Sequence, residues 1–325
     1  MTRGILGKVR AWRAESAGST FPMLTLKDIR EVALNLLLLP AVIAPRTAGL
    51  AMSRLLAMVL MRKGSRYTRD MARNLPSPIQ EALGPGVRVA LRRSEALIQY
   101  DKALVLRALL FRRWERSVAL EGIEHVEDAL RAGRGAILWV HPCVSSNLVV
   151  KQALHGAGLP LVHLSRPGHG FSSRSAFGTR LASPLLQRPE NRYIAERVLI
   201  DDRHLVGPLR HLRRRLAENQ VVSITAVTIR SKAAIVPCLG GVLSLSVGPI
   251  ELAQASGAAL LSVFTVGSGS RARVVIGPPL PVPGRAKDAS SVRDCANAAG
   301  AWLEEQALAH RADWTGWRRG EWRRR

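Results

Sequence analysis

Residues 136–151 read AILWVHPCVSSNLVVK, and this stretch decides the fold. Ala136–Val140 is an uninterrupted apolar run with the length and composition of a strand buried on both faces. His141 follows at once, and a helical pattern begins near Ser146–Asn147. Strand, short turn, helix is the repeating unit of an α/β sheet. Ligand sites in open sheets of this kind lie beyond the carboxyl ends of the strands, so His141 stands where a catalytic residue would. The same residues have a plainer reading, in which Ser145, Ser146 and Asn147 cap the helix and His141 is a polar strand end.

The same rhythm extends in both directions. Short apolar runs occur at Val118–Leu120, Leu161–Leu164, Val221–Thr225, Ala233–Val236, Ala258–Phe264 and Arg273–Ile276. Helical patterns near 123–132, 147–157, 203–218 and 248–256 fall between several of them. The alternation predicts an α/β fold with a mostly parallel central sheet flanked by helices. A helical pattern over 27–62 and a long Leu/Ala/Arg pattern over Val87–Arg116 come first, and Ser291–His310 reads as a closing helix. Pro76-Ser77-Pro78 marks a turn. Within Pro237–Phe264, Gly240-Gly241 makes a turn, Gly248-Pro249 opens a helix and Gly257 ends it, a pattern that predicts βαβ-like packing. The chain divides into a basic segment with apolar helices, 1–70, and a single α/β domain, 71–325. It has no internal repeat.

Composition narrows the partners. The 325 residues include 48 Lys+Arg against 24 Asp+Glu, a formal net charge of +24, and 47% are hydrophobic. That apolar share supports a core and excludes general disorder. Seven of the 48 cations are Lys, so 41 are Arg. The planar Arg fork suits phosphate and carboxylate, which points to nucleic acid, an anionic membrane or phosphorylated substrates. Three Tyr and five Phe supply little base stacking, and no nucleic-acid motif is present, so nucleic acid is the weakest of the three. Cys143, Cys238 and Cys295 are far apart and form no CxxC pair. This disfavours a zinc ribbon or a disulfide framework and suggests a reducing compartment. The first residues, MTRGILGKVRAWRAE, have no apolar h-region of a secretory signal.

Two apolar runs stand near the start, Val32–Ala44 (VALNLLLLPAVIA) and Thr47–Met61 (TAGLAMSRLLAMVLM). A spanning helix needs about 20 apolar residues, and neither run reaches that length. A kinked span would have to bury Arg54. Two short helices lying in the interface are more economical, with Arg62, Lys63, Arg66 and Arg69 facing anionic headgroups. Burial of both helices in the protein core is the other reading.

A second chemistry-bearing segment is Ser165–Arg180, SRPGHGFSSRSAFGTR. Its Gly, Ser and Arg residues after a strand suit an anionic group, with Ser165, Arg166, His169 and Arg174 as the binding candidates. The alternative is an ordinary exposed polar loop. Leu205–Leu216 carries Leu at helical spacing with Arg210, Arg213, Arg214 and Arg215, and reads as an amphipathic helix with a solvated basic face. No dinucleotide fingerprint, P-loop, nucleophile elbow or HExxH is present. Cys143 reads as a packing residue.

The order of these segments resembles the lipid A biosynthesis (lauroyl/myristoyl) acyltransferase family, within the lysophospholipid acyltransferase-like group. The likeness covers about 118–322. It is carried by Leu120-Glu121-Gly122-Ile123-Glu124-His125, by Arg131-Ala132-Gly133-Arg134-Gly135 and the strand into His141, by Gly240-Gly241 through Gly248-Pro249, Leu252-Ala253 and Gly257-Ala258, and by Trp302-Leu303-Glu304, His310, Trp314 and Trp317-Arg318-Arg319. The family's signature is His, four residues, then Asp or Glu. His141 matches the His, while the carboxylate position falls on Ser146, with Asn147 beside it.

The resemblance implies a glycerolipid-acyltransferase-like fold with membrane-associated N-terminal helices. It implies transfer of an acyl group from acyl carrier protein or coenzyme A thioester to a hydroxyl of a glycolipid or phospholipid. His141 would be the general base, Ser146 and Asn147 would stand at the carboxylate position, and Ser165, Arg166, His169, Arg174, Gly240 and Gly241 would bind substrate. Ser or Asn holds a tautomer but carries no charge. Either another carboxylate (Glu190 or Glu196) pairs with His141, or His163 or His169 is the base, or the chain binds lipid or carrier protein without catalysis. The thioester is already activated, so no metal or further cofactor is expected. The expected setting is a monomer at the cytoplasmic face of the inner membrane, in contact with anionic lipids.

Overall fold

The computed structural model describes residues 22–62, 66–112, 116–166, 175–200, 205–226, 232–269, 271–282 and 289–324. The described chain is α/β, with a mostly parallel seven-stranded sheet flanked by helices. In order, the sheet strands are β1 (Ser117–Glu121), β2 (Ala136–Val140), β3 (Leu161–Ser165), β4 (Glu196–Leu199), β5 (Val221–Thr225), β8 (Ala259–Ser268) and β9 (Arg271–Pro279). They lie side by side as β1-β9-β8-β2-β5-β3-β4. The five from β8 to β4 are parallel, and β9 and β1 run the other way because β8 turns directly into β9. β2 sits centrally: Val140 pairs with Thr225 on one side and Val263 on the other. All of β2 is buried, as its unbroken apolar run requires.

Successive strand residues point to opposite faces, and each face has its own core. Ile137, Trp139, Val222 and Phe264 pack with α10 (Val206–Ala217), α11 (Gly248–Ser256) and α12 (Ala289–Ala309). Leu138, Val140, Leu161 and Val263 pack with α6 (Val87–Phe111), α7 (Ile123–Arg131) and α8 (Ser146–Gly156).

The βαβ-like packing expected for Pro237–Phe264 is not what forms. β6 (Ala233–Cys238) and β7 (Gly241–Ser246) make an antiparallel hairpin, joined at the far edge of β7 by β10 (Trp322–Arg324) in a separate three-stranded sheet. The reason is the two-residue turn: Leu239 and Gly240 both have positive φ, 51° and 69°, the backbone that folds a strand tightly back on itself. β4, β7 and β10 are strands beyond those expected.

The helical pattern over 27–62 forms as three pieces, α1 (Leu26–Leu37), α2 (Leu39–Ile43) and α3 (Arg46–Leu60). The breaks fall at Leu38 and at Ala44–Pro45, where Pro40 and Pro45 cannot continue a helix ladder. No described helix is long and apolar enough to cross a membrane. α2 and α3 pack on α6. α3 buries Gly49, Ser53 and Ala57 and turns Met52, Leu55, Met58 and Val59 outward. α1 likewise exposes Leu26, Ile29, Leu36 and Leu37.

Candidate functional site

His141 lies just past the carboxyl end of β2, as its position in the sequence implies. Its backbone N–H donates to Val263 O at 2.9 Å, extending the ladder by one residue. The ring is fully buried on the α12 face. Trp139 stacks against it with centroids 5.9 Å apart, and Trp302 of α12 approaches to 6.1 Å. Nε2 lies 3.3 Å from Ser262 Oγ, while Nδ1 has no hydrogen-bond partner among the described residues. Burial lowers the His141 pKa to about 3, so the imidazole is neutral at physiological pH.

The carboxylates suggested by sequence as partners for His141 are engaged elsewhere. Glu190 bridges Lys151 of α8 and Arg197 of β4. Glu196 accepts from Arg215 at 2.7 Å and lies 2.8 Å from His211 Nε2. His163 is buried on the opposite sheet face, with Nδ1 2.8 Å from Ser223 Oγ. Ser146 and Asn147 open α8, and their side chains lie outside the described residues.

The loop after β2 is held from two directions. Val144 N donates to Asp313 O and Thr315 N donates to Pro142 O, each at 2.9 Å, with Cys143 and Trp314 bridged between them. From the other side Arg116 Nη1 donates to Ser145 Oγ and to Asp101 Oδ1, each at 3.0 Å. Burial pushes the Asp101 carboxyl up to about 6 against the pull of Arg116. It pushes Asp313 up to about 6 as well, against Arg93, the Gly267 N–H, Arg116 and Arg273. Both remain mostly ionised at pH 7.

Ser165 ends β3 on the α8 face, opposite His141. Arg197 Nη1 donates to its hydroxyl at 2.9 Å, and Arg197 Nε donates to Asn191 Oδ1 at 2.9 Å. Lys151, Glu190 and Arg197 therefore form a buried ionic support that reaches the end of β3 at Ser165. Burial pushes the Lys151 ammonium below its usual range against the attraction of Glu190. Arg166 follows, half-buried. His169 and Arg174 lie outside the described residues.

Gly240 and Gly241 form a third, separate place. They line an open cleft of about 500 Å³ together with Asn297, Ala301 and Glu304 along one edge of α12. Trp302, the residue that meets His141, points to nearly the opposite side of that helix. Gly241 also has a structural duty. A Cβ there would lie 2.4 Å from Arg323 O and 2.6 Å from the Trp322 ring, so only a glycine lets β10 close on the hairpin. Trp322 Nε1 then donates to Cys238 O at 2.8 Å.

The residues singled out by sequence are thus distributed over both sheet faces and the hairpin. The supports around them, Arg116 with Asp101 and Lys151 with Glu190 and Arg197, escape sequence reading. Arg116 belongs to an Arg-rich run that marks none of its members. Lys151 alone leaves a trace, a cation inside the apolar stretch NLVVKQAL. Among the described residues no group of three His, Cys, Asp and Glu side chains is placed to hold a metal ion. No family model matches the chain, and no curated protein matches it in sequence.

Proposed function

We propose that the chain transfers a fatty acyl group from an acyl thioester, carried by acyl carrier protein or coenzyme A, to a hydroxyl of a glycolipid or phospholipid at a membrane surface. The observation that carries this reading is the place of His141, an imidazole just past the carboxyl end of the central strand. A neutral imidazole can take a proton. In the step proposed, the acceptor oxygen forms an ester bond to the acyl carbon as the carbon–sulfur bond breaks. His141 takes the hydroxyl proton and passes it to the leaving thiolate. Arg166, just past the end of β3 that the support from Lys151, Glu190 and Arg197 reaches, is suited to a phosphate of donor or acceptor.

The lipid setting is supported by the N-terminal helices. α3 keeps Met52, Leu55, Met58 and Val59 on its outer face, while Gly49, Ser53 and Ala57 are buried and Leu50 and Leu56 are half-buried beside them. Exposed Lys27, Arg30 and Arg54 lie among the outward-facing apolar residues of α1 and α3. Apolar surface mixed with cations suits the interface of an anionic bilayer, here the cytoplasmic face of an inner membrane, with the helices lying on the bilayer.

The enclosure of His141 favours a second reading, a non-catalytic relative that binds lipid or carrier protein. The ring is shut between Trp139 and Trp302 and touches no carboxylate among the described residues. The two readings separate in one assay of the purified full chain, given labelled acyl donors and extracted membrane lipids. Under the first, His141→Ala lowers transfer by at least about a hundredfold and leaves vesicle binding intact. Absence of transfer by the wild type with every donor leaves the binding reading in place.

A further inference from the structure

The start of α1 is fastened to a segment far along the chain. Ala176 N donates to Pro22 O at 3.0 Å and Phe177 N donates to Met23 O at 3.2 Å. Ser175 Oγ donates to Asp28 Oδ1 at 2.8 Å and accepts from Gly178 N at 2.8 Å. Asp28 also closes the capping box with Thr25 that begins α1. Asp28 and Ser175 are both fully buried. One carboxylate therefore caps α1 and latches it to the five-residue π turn Gly178–Ala182, which runs on into α9 (Ser183–Leu186). Such wide turns are rare and recur at functional sites.

The two latched segments present the same kind of surface. Beside the seam, Met23 is 85% exposed and Leu26 84% exposed; one turn beyond it, Leu181 is 60% exposed, with Leu185 following at 38%. Leu181 and Leu185 are four residues apart, on one side of the turn. The exposed charges of both segments are cations: Lys27 and Arg30 on one, Arg180 and Arg188 on the other. Glu31 is half-buried, 3.7 Å from Lys102. Exposed leucines rimmed by cations match a bilayer carrying anionic headgroups.

We infer that Gly178–Leu186 is a second lipid-contacting element, joined to α1 through the Asp28–Ser175 latch into one surface. The inference rests on the membrane reading above and deepens it.

The test uses the full chain with phosphatidylethanolamine vesicles, with and without phosphatidylglycerol. Wild type sediments with the anionic vesicles, and its amides over 176–186 become slower to exchange with deuterium. Leu181→Glu and Leu185→Glu, both at exposed positions and checked for native circular dichroism, each weaken binding by about fivefold or more, as expected for losing part of a buried leucine. Ser175→Ala still sediments through α1 and α3 but loses the protection over 176–186. Wild-type binding with unchanged exchange at 176–186, and equal binding by both Glu variants, overturns the second element and spares the membrane reading. No sedimentation of wild type overturns both.

Discussion

α3 and α11 are helices of one protein that sort their residues in opposite ways. α11 buries Pro249, Ile250, Leu252 and Ala253 against the sheet, the ordinary order in which apolar bulk goes inward. α3 buries Gly49, Ser53 and Ala57 and leaves Met52, Leu55, Met58 and Val59 outside. Both pack tightly, but for different reasons. α11 is held by the area it removes from water. α3 is held by close approach: Gly49 lies against Ala41 and Tyr100, and the buried Ser53 Oγ is satisfied within the helix, donating to Gly49 O at 2.9 Å. Leu50 and Leu56 also reach inward, but the outer face of α3 keeps four large apolar side chains, an arrangement also found in helices packed within lipid.

The sharpest way to set the body apart from the N-terminal helices is to break its buried ionic support. Glu190→Ala leaves Lys151 and Arg197 inside without their shared carboxylate. Loss of one partner of a buried pair costs about 3–5 kcal/mol, read as a lower midpoint in urea unfolding. A smaller effect is expected on the small-residue face of α3. Helix propensity alone favours Gly49→Leu by up to about 1 kcal/mol. A Cβ at Gly49, however, would lie 2.8 Å from Ala41 O. Overpacking of this kind costs about 1–3 kcal/mol, so net destabilisation is expected by thermal unfolding; a stabilised variant would show that face to be loosely packed. The smallest effect belongs to the outer face. Leu55→Ser should change the unfolding free energy in solution by no more than about 0.5 kcal/mol, while reducing the fraction that sediments with anionic vesicles. A large loss of stability would mean that this face is covered by the protein itself.

How much of this was legible in the sequence differs between the two regions. The run Ala136–Val140, the alternation of strands and helices around it, and the helix bounded by Gly248-Pro249 and Gly257 all appear where their local patterns put them. Local pattern is enough there because burial on both faces leaves few other states for such a run. The sequence pattern places the turn between β6 and β7 one residue late, at Gly240-Gly241, and does not foresee the strand after it, Gly241–Ser246, so it misses the hairpin. The engagement of Glu190 was hidden because it meets Lys151 across 39 residues of chain, and no pattern in either neighbourhood points to the other. In the N-terminal helices the apolar runs were plain, but which side of α2 and α3 turns outward was fixed by contact with α6.

The residues that finish the body come late in the chain. Asp313–Thr315 clasp the loop carrying His141, and Trp322–Arg324 cover the open edge of β7. A ribosome that has released β9 therefore holds a nascent chain with its central strands available to pair, but with an uncovered hairpin edge and an unsecured loop beside His141. Bare edges invite pairing with other chains, and the apolar helices emerge some 250 residues earlier than this clasp. Early arrival at a lipid surface would keep those helices apart from that edge during synthesis, so the order of the sequence also orders the hazards of making the protein.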